Sequence, residues 1–283
     1  MVDVVIIGAG PAGISASIYA KRGGLDVLVL YYGDTNLKRA EKIDNYYGFR
    51  GGIEGDKLYE DGINQAIDLG VNVKKSEVVA IENQGTKYVV KTSEESIETK
   101  SVILSTGNRK LKPHIPGIKE FEGKGISYCA ICDAFFYRNK HVAVIGNGKF
   151  ALNEAEKLAN IAKEVTILTN GLEAPNTEYG VNTKKIKCIN GDTKVRNVEF
   201  EDGSIKEVDG IFIAIGNAGA SDFAKTLGVI QNGEYIKVDE NMHTNLKGVF
   251  ACGDVTGGLL QISKAVYEGA KAGLSAVEYI RNK

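Results

Sequence analysis

The hydrophobic pattern at the start of the chain predicts a βαβ unit. Val4-Val5-Ile6-Ile7 is a continuous β-branched run, the pattern of a strand buried on both faces. Gly8-Ala9-Gly10-Pro11-Ala12-Gly13 then opens a small-residue helix from about Ala12 to Arg22, and Val27-Leu28-Val29-Leu30 forms the next strand. Residues 56–69 predict a helix with Leu58, Ile63, Ala66 and Ile67 facing inward. A strand-rich stretch follows at Val71–Val73, Val78–Ile81 and Tyr88–Lys91, and Val102-Ile103-Leu104 runs into Ser105-Thr106-Gly107. Pro113 and Pro116, two of the four prolines, favour a linker. A second βαβ unit opens at His141–Ile145 with Gly146-Asn147-Gly148-Lys149-Phe150-Ala151, a helix to about Ala162, and the strand Val165–Leu168. Glu201-Asp202-Gly203-Ser204 is a hairpin signal, Ile211–Gly216 a buried strand ending in glycine, and Tyr235–Val238 another strand. Val249–Asp254 precedes a long helix from about Gln261 to Ile280.

The two glycine loops begin at Gly8 and Gly146, 138 residues apart (146 − 8), which points to an internal duplication and two nucleotide-shaped pockets. In the first, G-x-G-x-x-G follows a buried strand and opens a helix, the context in which it signals a dinucleotide. Gly8 permits the tight turn, Gly10 lets the backbone approach a pyrophosphate, and Gly13 allows close helix–strand packing. The helix N-terminus adds amides and a partial positive charge. The second strand ends in Tyr31-Tyr32-Gly33, without the usual ribose carboxylate. Gly253-Asp254, beside Gly257-Gly258, can aim a carboxylate at a ribityl or ribose hydroxyl.

Composition narrows the class. With 283 residues, 43% hydrophobic and 25% charged, the chain reads as a globular protein long enough for two cores. Its net charge of −1 suggests neither nucleic acid nor an anionic membrane as partner. Glycine is about 12% (34 of 283) against a usual ~7%, consistent with several close backbone approaches to a ligand. The N-terminal apolar run is too short for a signal sequence, and no apolar run reaches the ~20 residues needed to span a bilayer. Four cysteines are few for a secreted, disulfide-stapled protein, so the expectation is a cytoplasmic location.

The candidate chemistry centres on Cys129-Ala130-Ile131-Cys132-Asp133, with Phe135, Phe136 and Tyr137 behind it. A CxxC pair closes a redox disulfide, holds a metal, or is merely structural. Zinc needs further ligands at matching spacing, whereas Cys188 and Cys252 stand alone and the three histidines form no pair. The redox reading is therefore preferred, with no metal expected. Asp133 is the candidate acid, since thiol–disulfide exchange moves protons on and off sulfur. Core packing is the expectation for Cys188 and Cys252. Phe135–Tyr137 fit a flavin shield, a partner contact or a core equally well.

Taken together, Gly8–Gly13, Ile43-Asp44-Asn45-Tyr46-Tyr47-Gly48-Phe49, Ser105–Gly107, Cys129–Asp133, the strand to Gly216 and Gly253-Asp254 resemble the low-molecular-weight flavoprotein thioredoxin reductases over essentially the full chain. The resemblance implies an α/β fold of two Rossmann-like, three-layer dinucleotide-binding domains, the second inserted into the first. Residues 1–112 with 240–283 would bind FAD, and 113–239 would be an NAD(P)H-binding-like domain carrying the dithiol. It further implies FAD contacts at Gly8, Gly10, Pro11, Ala12, Gly13, Asn45, Thr106, Gly107, Gly253, Asp254, Gln261 and Ile262. Cys132 would lie against the flavin, Cys129 would attack the partner disulfide, and Asp133 would donate and accept the proton. The family is homodimeric and reduces thioredoxin.

One departure bears on the electron source. NADPH-dependent members carry a His-Arg-Arg-type cluster after the second strand of the central domain. Here that strand ends in Thr169-Asn170-Gly171, with no arginine until Arg196. Losing two charge-assisted contacts of ~1.5–3 kcal/mol removes ~3–6 kcal/mol of binding. No acid closes the strand to favour NADH, Phe150 is bulky, and the segment from Leu168 to Cys188 is short. The pattern resembles the ferredoxin-dependent flavin thioredoxin reductases, with reduced ferredoxin as donor. Arg109, Lys110, Lys112, Lys38, Arg39 and Lys42 are candidate docking cations. The alternative is an NADPH- or NADH-dependent reductase with an atypical nicotinamide site, for which Lys149 is the main support. Other disulfide partners, or a flavin-binding redox sensor, complete the range.

Overall fold

The computed structural model describes residues 1–283 except Asp34, 108–113 and Asn217, and the backbone but not the side chains of Asn36, Arg39, Ile131 and Cys132. The chain divides into two units, Met1–Arg109 with Gly219–Lys283, and Lys110–Ala218. The return to the first unit thus falls at Gly219 rather than at the expected 240.

In the first unit, β1 (Val2–Ile7), α1 (Pro11–Arg22) and β2 (Val27–Tyr31) form the opening βαβ. A 3-10 turn at Asn36–Arg39 precedes α2 (Gly55–Asp68). Tyr59 and Ala66 of α2 are buried, but Ile67 is exposed, contrary to the periodicity. The four strands that follow are β3 (Asn72–Lys75), β4 (Val78–Asn83), β5 (Tyr88–Thr92) and β6 (Ser96–Leu104). The sheet runs β3-β2-β1-β6-β5-β4. Its β1, β2, β3 and β6 pairings are parallel, and β4-β5-β6 is an antiparallel meander.

The second unit contains β7 (Ile126–Ser127), the single turn α3 (Ala130–Asp133) and a 3-10 turn at Ala134–Tyr137. There follow β8 (His141–Ile145), α4 (Lys149–Ala159), β9 (Glu164–Leu168) and β10 (Gly180–Asn182). Next come β11 (Ile186–Gly191), β12 (Val195–Phe200), β13 (Ile205–Glu207) and β14 (Gly210–Ile213). A parallel sheet, β10-β9-β8-β14-β7, packs on an antiparallel β11-β12-β13 sheet through Ile126, Ile145, Val198, Phe200 and Ile213.

The chain re-enters the first unit as α5 (Ala220–Leu227), β15 (Gln231–Asn232) and β16 (Tyr235–Ile236). It continues through β17 (Val249–Ala251), a 3-10 turn at Gly253–Thr256 and α6 (Ile262–Arg281). Helix α5 belongs here because it packs on β4 and β16, and its N-terminal amide, at Ala220, donates to Thr106 Oγ1 at 2.8 Å. Strand β17 pairs in parallel with the end of β6, from Val249↔Val102 to Ala251↔Leu104. Helices α1 and α6 approach backbone to backbone. A Cβ at Gly269 would stand 2.1 Å from the Ala12 carbonyl oxygen, and one at Gly273 2.4 Å from that of Ala16. Among the described residues, no helix is long and apolar enough to cross a membrane.

Candidate functional site

The first glycine loop is shaped by backbone contacts that exclude side chains. Gly8 has φ +115° and donates to Leu30 O at 2.8 Å, and a Cβ there would meet Ser105 O at 2.4 Å. A Cβ at Gly13 would stand 1.8 Å from Gly8 O. Gly10 differs: nothing lies within 4 Å of where its Cβ would be, and it caps α1 without a side-chain bond. The loop is therefore tight at both ends and open in the middle, at a helix N-terminus whose first amides lack intrahelical partners. This fits the pyrophosphate of a dinucleotide such as FAD.

The other residues expected to contact the dinucleotide lie in the same unit. Gly253, at φ +82°, would put a Cβ 2.7 Å from Ala12 Cβ, so the Gly253-Asp254 turn rests on the start of α1. Asn45 Nδ2 donates to Gln261 Oε1 at 3.1 Å, joining two expected residues 216 apart in sequence. Ile262 opens α6 and packs on the cluster of Leu37, Ile43, Ile53 and Tyr59. Gly107 has φ +72° and open space beside it. The Thr106 hydroxyl oxygen accepts from the Ala220 amide at 2.8 Å.

Two further residues hold the Gly253-Asp254 turn and were not anticipated. Glu268 accepts from Gly253 N at 2.9 Å and Thr256 Oγ1 at 2.8 Å. Lys264 pairs with Glu268 at 3.0 Å and donates to Gly253 O at 2.9 Å. Their i,i+4 spacing on the inner face of α6 was the available signal. Burial, and then the Glu268 charge, push the Asp254 carboxyl above its ordinary range, with Lys264 opposing.

In the second unit Cys129 is buried and disulfide-bonded, while Cys188, and Cys252 of the first unit, are free. The Cys132 side chain lies outside the described residues. The turn between them closes through Asp133 N to Cys129 O at 3.2 Å. Asp133 is within hydrogen-bonding distance of Ser127, Oδ2 to Oγ 2.6 Å. Ser127 Oγ also accepts the Cys129 N–H at 3.1 Å. The Ala130 N–H donates to Glu154 Oε2 of α4 at 2.7 Å, and Glu154 pairs with Lys157 at 2.6 Å. Sequence reading missed both Ser127 and Glu154. Behind the turn, Phe135 and Phe136 are 69% and 68% exposed, whereas Tyr137 packs edge-on against Phe212.

The second glycine loop begins like the first and then departs from it. A Cβ at Gly146 would stand 2.1 Å from Ala214 O, and Phe150 is buried. Asn147 Nδ2 donates across to Glu173 O at 3.4 Å. Thr169 Oγ1 donates to Leu172 O at 2.6 Å, and Asn170, at φ 54°, accepts Ile186 N at 2.8 Å. The turn after β9 thus closes on itself and on the glycine loop. Residues 169–187 hold no arginine. Lys185 packs beside Gly171, but its ammonium pairs with Glu201 at 2.8 Å.

Of the candidate docking cations, Arg109, Lys110, Lys112 and the Arg39 side chain lie outside the described residues. Lys38 pairs with Asp56 at 3.8 Å and sits over the Tyr59 ring. Cys252 is a core thiol, pushed far up by burial first and then by Glu268. Cys188 is not in the core: a register shift between Ile186 and Cys188 turns its sulfur to the polar face, 3.5 Å from Glu199 Oε2.

The model of the pyridine nucleotide-disulphide oxidoreductase family matches residues 2–269. The thioredoxin reductase of Aquifex aeolicus (strain VF5) is 34% identical, covering 99% of this chain and 94% of that protein. The crystal structure of the atypical thioredoxin reductase TRi from Desulfovibrio vulgaris Hildenborough is 39% identical with a TM-score of 0.94, covering 100% of this chain and 99% of that one. A ferredoxin-flavin thioredoxin reductase from Clostridium acetobutylicum is 33% identical with a TM-score of 0.74, covering 100% and 99%. The chain therefore belongs to the pyridine nucleotide-disulphide oxidoreductases, within the thioredoxin reductase family.

Proposed function

We propose that this protein passes electrons from reduced ferredoxin, through FAD and the Cys129/Cys132 dithiol, to thioredoxin disulfide. The observation that carries the choice of donor is the second glycine loop. It is bridged by Asn147 to Glu173 and lacks arginine after β9, so a 2′-phosphate finds no charge-assisted partner on that turn. The solved relative described as a ferredoxin-flavin thioredoxin reductase supports the same reading.

Bound FAD supplies the passage between one-electron delivery and the two-electron reduction of a disulfide. The Gly8–Gly13 loop would hold its pyrophosphate, Asp254 a ribityl hydroxyl, and Asn45 and Gln261 its flavin side. Cys132 would exchange electrons with the flavin, Cys129 would attack the partner disulfide, and Asp133 would carry the proton. Plant-type ferredoxin near ~−400 mV and thioredoxin near ~−270 mV leave about 6 kcal/mol of driving force over two electrons. The protein would act as a cytoplasmic homodimer, for which the exposed Leu259, Leu260, Tyr267 and Leu274 offer apolar surface.

A nicotinamide-dependent reductase is the second reading, favoured by Lys149 at the start of α4. Anaerobic mixing of the oxidised holoprotein with NADPH, NADH or reduced ferredoxin, followed by flavin absorbance, separates them. Bleaching by ferredoxin alone, with turnover of thioredoxin disulfide, is expected. Rapid bleaching by NADPH would overturn the proposal.

A further inference from the structure

Ser127 Oγ stands where three polar atoms meet. It lies 2.6 Å from Asp133 Oδ2, 3.1 Å from the Cys129 amide nitrogen and 3.3 Å from the Cys129 carbonyl oxygen. A hydroxyl has one proton to donate and two lone pairs to accept with. The Cys129 amide takes one lone pair, leaving a proton and a lone pair for the other two partners. When Asp133 is ionised, the serine proton points to its carboxylate. When Asp133 is protonated, its own O–H donates to Ser127 Oγ, and the serine proton turns to the Cys129 carbonyl. Ser127 is 5% exposed, so a partner in each state matters: a buried hydroxyl without one is costly.

We propose that Ser127 is a positioning residue that keeps Asp133 held in both protonation states, reversing their hydrogen bond each time the proton leaves and returns. This rests on the reading of Asp133 as the acid of the dithiol. In that exchange the departing sulfur takes the electron pair of the broken sulfur–sulfur bond and one proton from Asp133; the reverse step returns the proton. Ser127 gains and loses none and changes only its partner. Because both states are bonded, proton transfer requires no rebuilding of the turn between the cysteines.

Other charged and titratable groups lie on or against the same turn, and the Ser127 variants leave them chemically unchanged. Tyr137, on the next turn, feels the Asp133 charge together with that of Asp209. Glu154 and Lys157 of α4 hold the Ala130 amide. Cys129 and Cys132 flank Asp133 on its own turn.

The test mixes dithiol-reduced holoenzyme with oxidised thioredoxin in a stopped flow, from mildly acidic to mildly alkaline pH. The variants are Ser127→Ala, Ser127→Thr and Asp133→Asn. Asp133→Asn should remove one limb of the rate profile. Ser127→Ala should move that limb upward by about one pH unit, because the charged carboxylate loses more than the neutral acid does. Ser127→Thr, which keeps the hydroxyl, should restore the limb to its wild-type position. If Asp133→Asn leaves both rate and profile intact, Asp133 is not the acid and the underlying reading fails. If Asp133→Asn removes the limb but Ser127→Ala leaves it unmoved, the Ser127 proposal alone is overturned. Should Ser127→Ala fail to fold, judged by flavin content and melting, Ser127→Gly removes the same hydroxyl and replaces it.

Discussion

The Ala130 amide donates to the Glu154 carboxylate at 2.7 Å, so helix α4 of the second glycine unit holds the turn that carries the two cysteines. Glu154 is buried, and its other oxygen pairs with Lys157 at 2.6 Å. Glu154→Gln keeps an acceptor for the amide but removes the charge opposite Lys157, and should cost about 1–2 kcal/mol. Glu154→Ala also leaves the amide unsatisfied and should cost about 3–4 kcal/mol. Urea unfolding of both variants checks the order. Equal losses would mean that the amide contact contributes nothing.

Gly10 and Gly13 should fail for different reasons when each is replaced by alanine. At Gly13 the new methyl would stand 1.8 Å from Gly8 O, so the loop itself is displaced and the protein loses stability as well as flavin. At Gly10 the methyl enters open space, so the apoprotein should melt like wild-type apoprotein while its flavin occupancy falls about tenfold or more. Flavin-to-protein ratio and apoprotein melting together distinguish the two.

Tyr88 predicts an alkaline instability. Its buried phenol donates to the Lys247 carbonyl at 2.7 Å, and burial, followed by the nearby Tyr279, raises its pKa from 10.0 to about 12. Between these values the unfolded chain gives up the proton while the native state retains it, so stability falls as pH rises. Below 10.0 this contribution is flat. Tyr88→Phe should remove that part of the slope, at about 1 kcal/mol for the lost hydrogen bond. Denaturant unfolding at neutral and alkaline pH measures both.

Phe135 and Phe136 sit directly behind the dithiol turn with more than half their surface exposed, and only Tyr137 of the trio packs inward. As a docking surface they predict that Phe135→Ala and Phe136→Ala each raise KM for thioredoxin about tenfold. Flavin content and kcat at saturating thioredoxin should stay near wild type. Steady-state kinetics with varied thioredoxin makes the measurement, and an unchanged KM in both variants would remove them from the contact.

What was legible in the chain and what was not follow from how local each constraint is. The first loop joins β1 to α1 at a fixed spacing, so its glycines were readable there: a side chain at Gly8 or Gly13 would collide with Ser105 O or Gly8 O, whereas Gly10 leaves open space. Ser127 and Glu154 were hidden because their partners, Asp133 and Ala130, are set by how β7 and α4 pack beside a single helical turn. Cys188 was misjudged because a register shift in β11 reverses the face on which it falls. The domain boundary falls at Gly219 because α5 packs on β4 and β16 of the first unit, with its start tied to Thr106 across 114 residues. Ile67 lies on a helix that buries Ala66, as expected, and Tyr59, which the spacing did not single out.

The Asn147–Glu173 bridge and the Thr169–Leu172 bond make the turn after β9 self-sufficient. A surface whose polar groups already bond to one another does not wait for a ligand. The same closure makes reversal difficult. Arginines grafted after β9 would bring charge to a turn that must first be pried open, so they would recover less nucleotide affinity than their charges alone supply.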